Sequence, residues 1–340
     1  MNKLLFTSFF VSLLSIGDAQ ARDVVDLYQA SIPVADRGDV EFSKGLRRAM
    51  RQVLVKLTGT ANSDRRLDAL VNDPDRYVLK FAHDVNDDEE IVLRVEFDPS
   101  SLSGALESSG VSIWGKERPD TLLWLVIDAE QVRQLSGADE PGRFGEVALT
   151  RAKIRGIPIL LPLMDVEESQ HLIHVRRAED VVTNAHAMSR RYGTSSILIG
   201  YVRESVPGIW EAQFTAVIDE QTVSFQNEGS LPELLIEEGI DRLTVGLANR
   251  YAGGHNSGTR ESIVIRVEGV QNAGDYARAT HYLESLDIVS RVFVSQVAGR
   301  IVDYQIVARG GQNALSESIS FGRLLTRLAD QQNVYRLNRN

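Results

Sequence analysis

Between residues 43 and 57, Leu46, Ala49, Met50, Val53, Leu54 and Leu57 recur at the i, i+3, i+4, i+7 spacing of a buried helical stripe. The spacing predicts an amphipathic helix, closed by Gly59. Its other positions carry Lys44, Arg47, Arg48, Arg51 and Lys56, a set that reads as a solvated face or as a surface for acidic ligands or membranes. Around this helix the pattern gives a strand over residues 24–30, short helices over 64–71 and 75–81 split by Pro74, and an acidic loop over 84–90. A strand over 91–97 and a helix over 99–109, opened by proline in its first turn, complete an N-terminal α+β module at residues 22–115.

Residues 121–127 form a continuous apolar run of the kind found in strands covered on both faces. Further along come a loop over 136–145, a helix through Ala148 and Ala152, a short strand over 157–162 and a helix over 178–192 closed by Gly193. A strand over 196–202 follows. Alternating strands and helices imply crossovers, so residues 116–252 are expected to fold as an α/β module of three layers around a mostly parallel sheet. Strands over 210–218 and 222–227 extend the sheet as an antiparallel edge, and a helix over 232–251 closes the module. Gly253-Gly254-His255-Asn256-Ser257-Gly258 reads as a linker within 253–260. Residues 261–330 then show strand 262–268, helix 273–286, strands 289–297 and 301–307, and helix 315–328. That β-α-β-β-α order predicts a ferredoxin-like half-sandwich with its helices on one face, followed by a frayed tail over 331–340.

The first twenty-one residues carry a separate message. Lys3, an apolar run from Leu4 to Ile16 and the Ala19-Gln20-Ala21 site have the layout of a secretory signal peptide, with an apolar stretch too short to span a bilayer. They predict export to a periplasm. The alternative is an uncleaved signal that anchors the chain to the inner membrane; no later stretch approaches the roughly 20 apolar residues of a stable span. The chain has no cysteine, which excludes disulfides, thiolate metal sites and cysteine nucleophiles. A hydrophobic content of 43% with 25% charged residues is that of a folded protein. A net charge of −10 argues against non-specific affinity for nucleic acid or anionic lipid, and neither is a favoured partner.

Candidate chemistry is sparse. Asp165, Glu167, Glu168, His171 and His174 supply residue types that a zinc or manganese site needs. The spacing is poor for one, because residues i and i+3 share a face on a helix but point to opposite sides on a strand, and Leu172-Ile173-His174-Val175 reads more like strand. Glu89-Glu90, Glu167-Glu168 and Glu237-Glu238 are carboxylate pairs of the sort glycan hydrolases employ. Gly254 to Gly258 misses the G-x-S-x-G spacing and lies in the linker, and no glycine-rich phosphate loop follows a strand. No cofactor, metal or catalytic residue is therefore expected. Open α/β sheets bind ligands where loops leave their strands, which makes Pro162, Met164, Asp165, Arg190, Arg191 and Tyr192 the candidate interaction edge. Trp124, on a buried strand, is expected to pack in the core.

Several segments resemble a known family of proteobacterial envelope proteins. They are Leu27-Tyr28-Gln29-Ala30-Ser31-Ile32-Pro33-Val34, Val53-Leu54-Val55-Lys56-Leu57-Thr58-Gly59, Arg118-Pro119 with Leu123-Trp124-Leu125, Gly156-Ile157-Pro158 through Asp165, and Arg191-Tyr192-Gly193. In combination they resemble the domain of unknown function numbered 2066, a family that implies no activity, substrate or catalytic residue. The run from Arg191-Tyr192-Gly193 into Ser196-Ile197-Leu198-Ile199-Gly200-Tyr201-Val202 is similar to periplasmic adaptor modules of the penicillin-binding-protein activator, curli-assembly and Tol-associated kinds. The expected function is a periplasmic binding or assembly adaptor with an envelope protein as partner. An envelope glycan or peptide hydrolase using paired carboxylates, and a metal-binding module at His171 and His174, are the alternatives.

Overall fold

Helix α1 (Asp39–Thr58) places its apolar stripe against a three-stranded antiparallel sheet of order β2-β4-β3, formed by β2 (Gln29–Pro33), β3 (Val78–Val85) and β4 (Ile91–Phe97). Leu46, Ala49, Met50, Val53 and Leu57 are fully buried there with Leu93, Val95 and Phe97. The computed structural model describes residues 21–24, 26–59, 65–86, 89–129, 132–175, 177–251, 261–286, 288–322, 324–328 and 331–338. The signal segment, apart from Ala21, and the Gly253–Gly258 linker lie outside the described residues.

Two elements of this module differ from expectation. The first core strand starts at Gln29 rather than Val24, because only residues 29–33 pair with β4. The expected helix over 75–81 is a 3-10 turn at Pro74–Tyr77 and then strand β3, whose pairing with β4 overrides local propensity. Helices α2 (Asp68–Asn72) and α3 (Pro99–Ser108) close the core, and the Asp98 carboxylate accepts from the Ser101 amide at 2.9 Å to cap α3.

The passage to the next module is built around a buried cation. Strand β1 (Ala21–Asp23) pairs with β5 (Glu117–Pro119), and Arg118 at its centre is fully buried. Its guanidinium donates to the carbonyls of Lys56, Trp114, Gly115 and Gly156 at 2.6–3.0 Å and lies 4.1 Å from the centroid of the Trp114 ring. One side chain thereby ties the end of α1, the connecting segment and the central module together. Gly59 ends α1 in the left-handed conformation, φ +65°, and a Cβ there would lie 2.1 Å from the Cβ of Ala248.

The central sheet has the order β11-β10-β9-β6-β7, with β8 (Ile159–Leu160) beside β6 (Thr121–Ala129). Strand β6 pairs in parallel with β8 and β9 (Ser196–Val206); β7 (Val132–Leu135), β10 (Ile209–Ile218) and β11 (Gln221–Gly229) add antiparallel pairs. The expected parallel arrangement therefore holds at the centre of a mixed sheet. Alternation along β6 sends Leu123, Leu125 and Ile127 toward α4 (Gly142–Arg155) and α7 (Pro232–Tyr251), and Leu122, Trp124 and Val126 toward α5 (Val166–Ile173) and α6 (Ala178–Ser189). Helices cover both faces, which explains the uninterrupted apolar run.

In the C-terminal module, β12 (Glu261–Glu268), α8 (Ala273–Ser285), β13 (Val289–Ala298), β14 (Ile301–Ala308) and α9 (Gly311–Phe321) give the expected β-α-β-β-α order, with β14 between β12 and β13. Two strands follow where a longer helix and a tail were expected. Helix α9 stops at Gly322, β15 (Leu325–Arg327) pairs with β16 (Val334–Leu337), and β16 pairs in parallel with β12. The core extends to Tyr335 and Leu337. The chain is thus a mixed α/β and α+β protein with nine helices among the described residues. Ion pairs of Arg309 with Glu107 and Arg250 with Glu317 join the C-terminal module to the other two.

Candidate functional site

The structure brings Met164, Asp165, Arg191 and Tyr192 together around Glu168, with the Tyr192 ring against Trp124. The loop leaving β8 places Pro162 in the interior, where its carbonyl accepts from the Ala138 amide at 2.7 Å. Met164 follows in the left-handed region, φ +55°, and Asp165 caps α5 by accepting from the Glu168 amide at 3.0 Å. From the other side, a 3-10 turn at Arg190–Tyr192 ends α6. Arg191 pairs with Asp165 at 2.7 Å, and the Tyr192 ring meets Trp124 edge-on at 6.1 Å. Trp124 is core, as expected; its indole N–H donates to Ser189 Oγ at 2.8 Å, fixing α6 to the sheet.

Glu168 organises this cluster; the sequence offers it as a metal ligand or one of a carboxylate pair, not as part of the interaction edge. It is fully buried, accepts from the Tyr192 hydroxyl at 2.6 Å and the Met164 amide at 2.8 Å, and lies 3.4 Å from the Arg191 guanidinium. The Tyr192 oxygen in turn accepts from the Leu163 amide at 2.8 Å. A recognisable signal was present: Asp165-x-x-Glu168 is the pattern of a helix-opening capping box. Burial, reinforced by the hydrogen bond to Glu168, pushes the Tyr192 phenol up to about 12. Hydrogen bonding from the Glu168 amide and from Arg191 holds the Asp165 carboxyl below its usual range.

The outer surface of the edge carries Leu163 and Val166, 58% and 73% exposed, together with the exposed Asp165, Glu167, Arg190 and Arg191; Arg190 makes no ion pair among the described residues. A concavity of about 490 Å³ between α5 and α6 adjoins them, lined by Glu167, His171, Asn184, Met188, Arg190 and Arg191.

The premise that placed this edge at strand carboxyl ends needs correction. The loop at 161–165 does leave the carboxyl end of β8, but β8 pairs only with Thr121 and Leu122 at the start of β6. Arg190–Tyr192 precedes the amino end of β9, since α6 returns antiparallel to the strand that follows it. The carboxyl ends of β6 and β9 hold a different group. Asp128 accepts from Arg133 at 2.7 Å and from the Tyr201 hydroxyl at 2.9 Å. Beyond Tyr201 a groove of about 690 Å³ opens over β9, β10 and β11, floored by Arg203, Glu211, Gln213, Gln226 and Glu228 and bounded by Arg177. Arg203 and Glu211 pair across it at 2.6 Å, which holds the Glu211 carboxyl low.

The other candidates separate. His171 lies within α5 rather than on a strand, because residues 166–173 form a helix; its Nδ1 is 2.8 Å from the Glu167 carbonyl, and His174 caps the helix end. Among the described residues, no group of three or more histidines and carboxylates could hold a metal ion. Of the carboxylate pairs, Glu168 is taken up as described, Glu237 faces Arg151 at 3.4 Å, and Glu238 binds Asn227 and Arg242. Among the described residues, no helix is long and apolar enough to cross a membrane.

Residues 21–115 match the family described as Domain of unknown function (DUF8605). This corrects the resemblance to the family numbered 2066: the matching family is a different one, and its match is confined to the N-terminal module. No curated protein matches the chain. Among solved structures, a competence or damage-inducible protein from Enterobacter asburiae is similar at 10% identity and a TM-score of 0.23, covering 44% of this chain and 94% of its own. Lipoprotein GNA1162 from Neisseria meningitidis is similar at 17% identity and a TM-score of 0.20, covering 38% and 99%.

Proposed function

We propose that this protein is an exported binding or assembly adaptor of the cell envelope, acting through the edge between α5 and α6. The observation that carries the reading is the division of labour around Glu168. Its carboxylate, Tyr192, Asp165 and Arg191 are engaged in holding two loops in fixed positions, and they present Leu163, Val166 and Arg190 outward. Exposed apolar side chains on the same edge as a guanidinium that makes no ion pair among the described residues suit recognition of a partner surface, in which apolar and arginine anchors contribute most of the affinity. Export rests on the charged, apolar and A-x-A order of the first twenty-one residues.

In-cell cross-linking of the exported protein, followed by purification and mass spectrometry, tests this reading. A single enriched envelope protein is expected, lost on Leu163→Asp or Arg190→Glu while the fold is retained. Recovery of the same partner with both variants overturns it.

A further inference from the structure

An open sheet edge is a template for another strand, and every other outer strand among the described residues carries a feature that discourages one. Strands β1, β5, β7, β8 and β15 have two to four residues, and β2 ends at Pro33. Register breaks interrupt β3 between Val78 and Lys80, and β13 at Val289/Arg291 and Val294/Gln296. Strand β11 has none of these. It is the outer strand of the central sheet, nine residues long, and pairs with β10 in unbroken register from Gln221 to Gly229. It holds no proline or lysine, and Glu228 is its one charged residue.

The turn from β10 to β11 has two residues, Asp219 and Glu220, both in the left-handed region at φ +46° and +67°. Such a turn makes Ile218 and Gln221 a hydrogen-bonded pair, and hydrogen-bonded and non-hydrogen-bonded pairs alternate from there. The N–H and C=O groups of Thr222, Ser224, Gln226 and Glu228 therefore point away from β10, and all four residues are exposed. The Thr215 and Ser224 hydroxyls, 3.0 Å apart, fit the close approach of a non-hydrogen-bonded pair. Phe225, at the centre of the strand, stacks on Phe214 of β10 at 5.5 Å, and Val223 on the same face is 60% exposed.

We propose that β11 pairs antiparallel with β11 of a second copy of this chain, about a two-fold axis at Phe225, so that two central sheets become one. The strand's own sequence selects this occupant and this register. Centred on Phe225, all nine residues overlap: Phe225 meets Phe225, Val223 meets Asn227, Ser224 meets Gln226 and Thr222 meets Glu228. Each outward polar side chain then faces one that can hydrogen-bond to it, and no like charges oppose. Centring on Ser224 sets Glu220 against Glu228, and centring on Gln226 carries Gln221 and Thr222 past the end of the strand. The outward backbone groups supply the attachment, as in strand addition generally. This edge shares no residue with the adaptor reading, so the two can fail separately.

Sedimentation velocity of the purified full chain tests the proposal. A concentration-dependent mass approaching twice that of the chain is expected. Gln226→Pro removes an outward N–H without touching the ladder to β10 and should leave a folded monomer. Thr222→Glu sets two like-charged pairs across the axis and Thr222→Lys two opposite-charged pairs, so the first should weaken and the second strengthen dimerisation, each by about 2- to 30-fold. These exposed substitutions test the register even where the proline perturbs β11. The chain has no cysteine of its own, so Ser224→Cys with Gln226→Cys should cross-link two copies on mild oxidation, the Cα atoms of such a pair lying about 5.5 Å apart. Association through the apolar run at 4–16 would ignore residue 222. A monomer at every concentration, a dimer indifferent to the sign of the charge at 222, or a chain that stays monomeric while β11 takes up an extended segment of another protein would each overturn the inference.

Discussion

The Tyr192 hydroxyl donates to the buried carboxylate of Glu168 at 2.6 Å, and the same oxygen accepts from the Leu163 amide. One phenol thus fastens the end of α6 to the loop that opens α5. Tyr192→Phe should lower unfolding free energy by about 1–3 kcal/mol, because it deprives a buried carboxylate of a donor and strands an amide. Urea denaturation with an unchanged m-value would show this, and faster amide exchange at Leu163 would locate it.

The same phenol sets an alkaline limit. Its folded-state value, near 12, lies above the roughly 10 of an unfolded chain, so its stabilising contribution is complete below pH 10 and is lost as pH rises toward 12. Tyr251, also raised by burial and by its bond to Asp219, acts in the same direction. Absorbance titration near 295 nm should show Tyr192 ionising after the exposed tyrosines, together with the other buried tyrosines, and Tyr192→Phe should reduce the amplitude of that late step by one phenol.

Lys56 behaves in the opposite sense. Burial lowers its ammonium to about 8 even though it donates to the Asp26 and Gln29 carbonyls. An unfolded lysine titrates near 10.4, so between about pH 8 and 10 the unfolded chain binds more protons and stability rises with pH. Lys56→Met should flatten that rise in denaturation curves collected across the window. A slope unchanged in the variant would show that another group is responsible.

Replacing Arg118 should be among the most damaging single changes. Arg118→Ala removes donors from the buried carbonyls of Lys56, Trp114, Gly115 and Gly156, at roughly 1–3 kcal/mol each, and a loss of at least about 3 kcal/mol is expected. Arg118→Lys should recover little, since an ammonium cannot reproduce a planar fork. Limited proteolysis should then cut the chain near residues 111–117 before either core is digested.

Gly59→Ala should cost at least about 2 kcal/mol in thermal or chemical unfolding. The left-handed backbone disfavours any side chain, and the new Cβ would overlap Ala248 on α7.

How much the sequence revealed depended on how local the cause was. Helix α7 and strand β4 fall where periodicity placed them, because each carries its own burial pattern over at least seven residues. Helix α5 was read as a loop entering a strand. Only Glu168 and Leu172 of its eight residues are buried, too few to print a period, although the Asp165-x-x-Glu168 cap was legible. At the C-terminus the sequence reads as one helix over 315–328, but Gly322 ends α9. A Cβ at Gly322 would overlap the ring of Tyr282 on α8, a contact that no local pattern records.

The candidate edge followed the same rule. Of the six residues offered by chain position, the structure joins Met164, Asp165, Arg191 and Tyr192 through Glu168, while Pro162 bonds Ala138 and Arg190 stands outside the network. Their expected place at strand carboxyl ends did not survive, because β8 is only two residues long and pairs at the start of β6.

The sequence by itself determined the apolar stripe of α1, the doubly covered β6, the β-α-β-β-α run and the cation row on α1, since each is written in contiguous side chains. Tertiary structure alone decided that Arg118 would join two modules, that Glu168 would hold two loops, and that β16 would complete the last sheet. Those outcomes depend on carbonyls, amides and strand edges far apart in the chain, and backbone groups carry no sequence signature until folding brings them together.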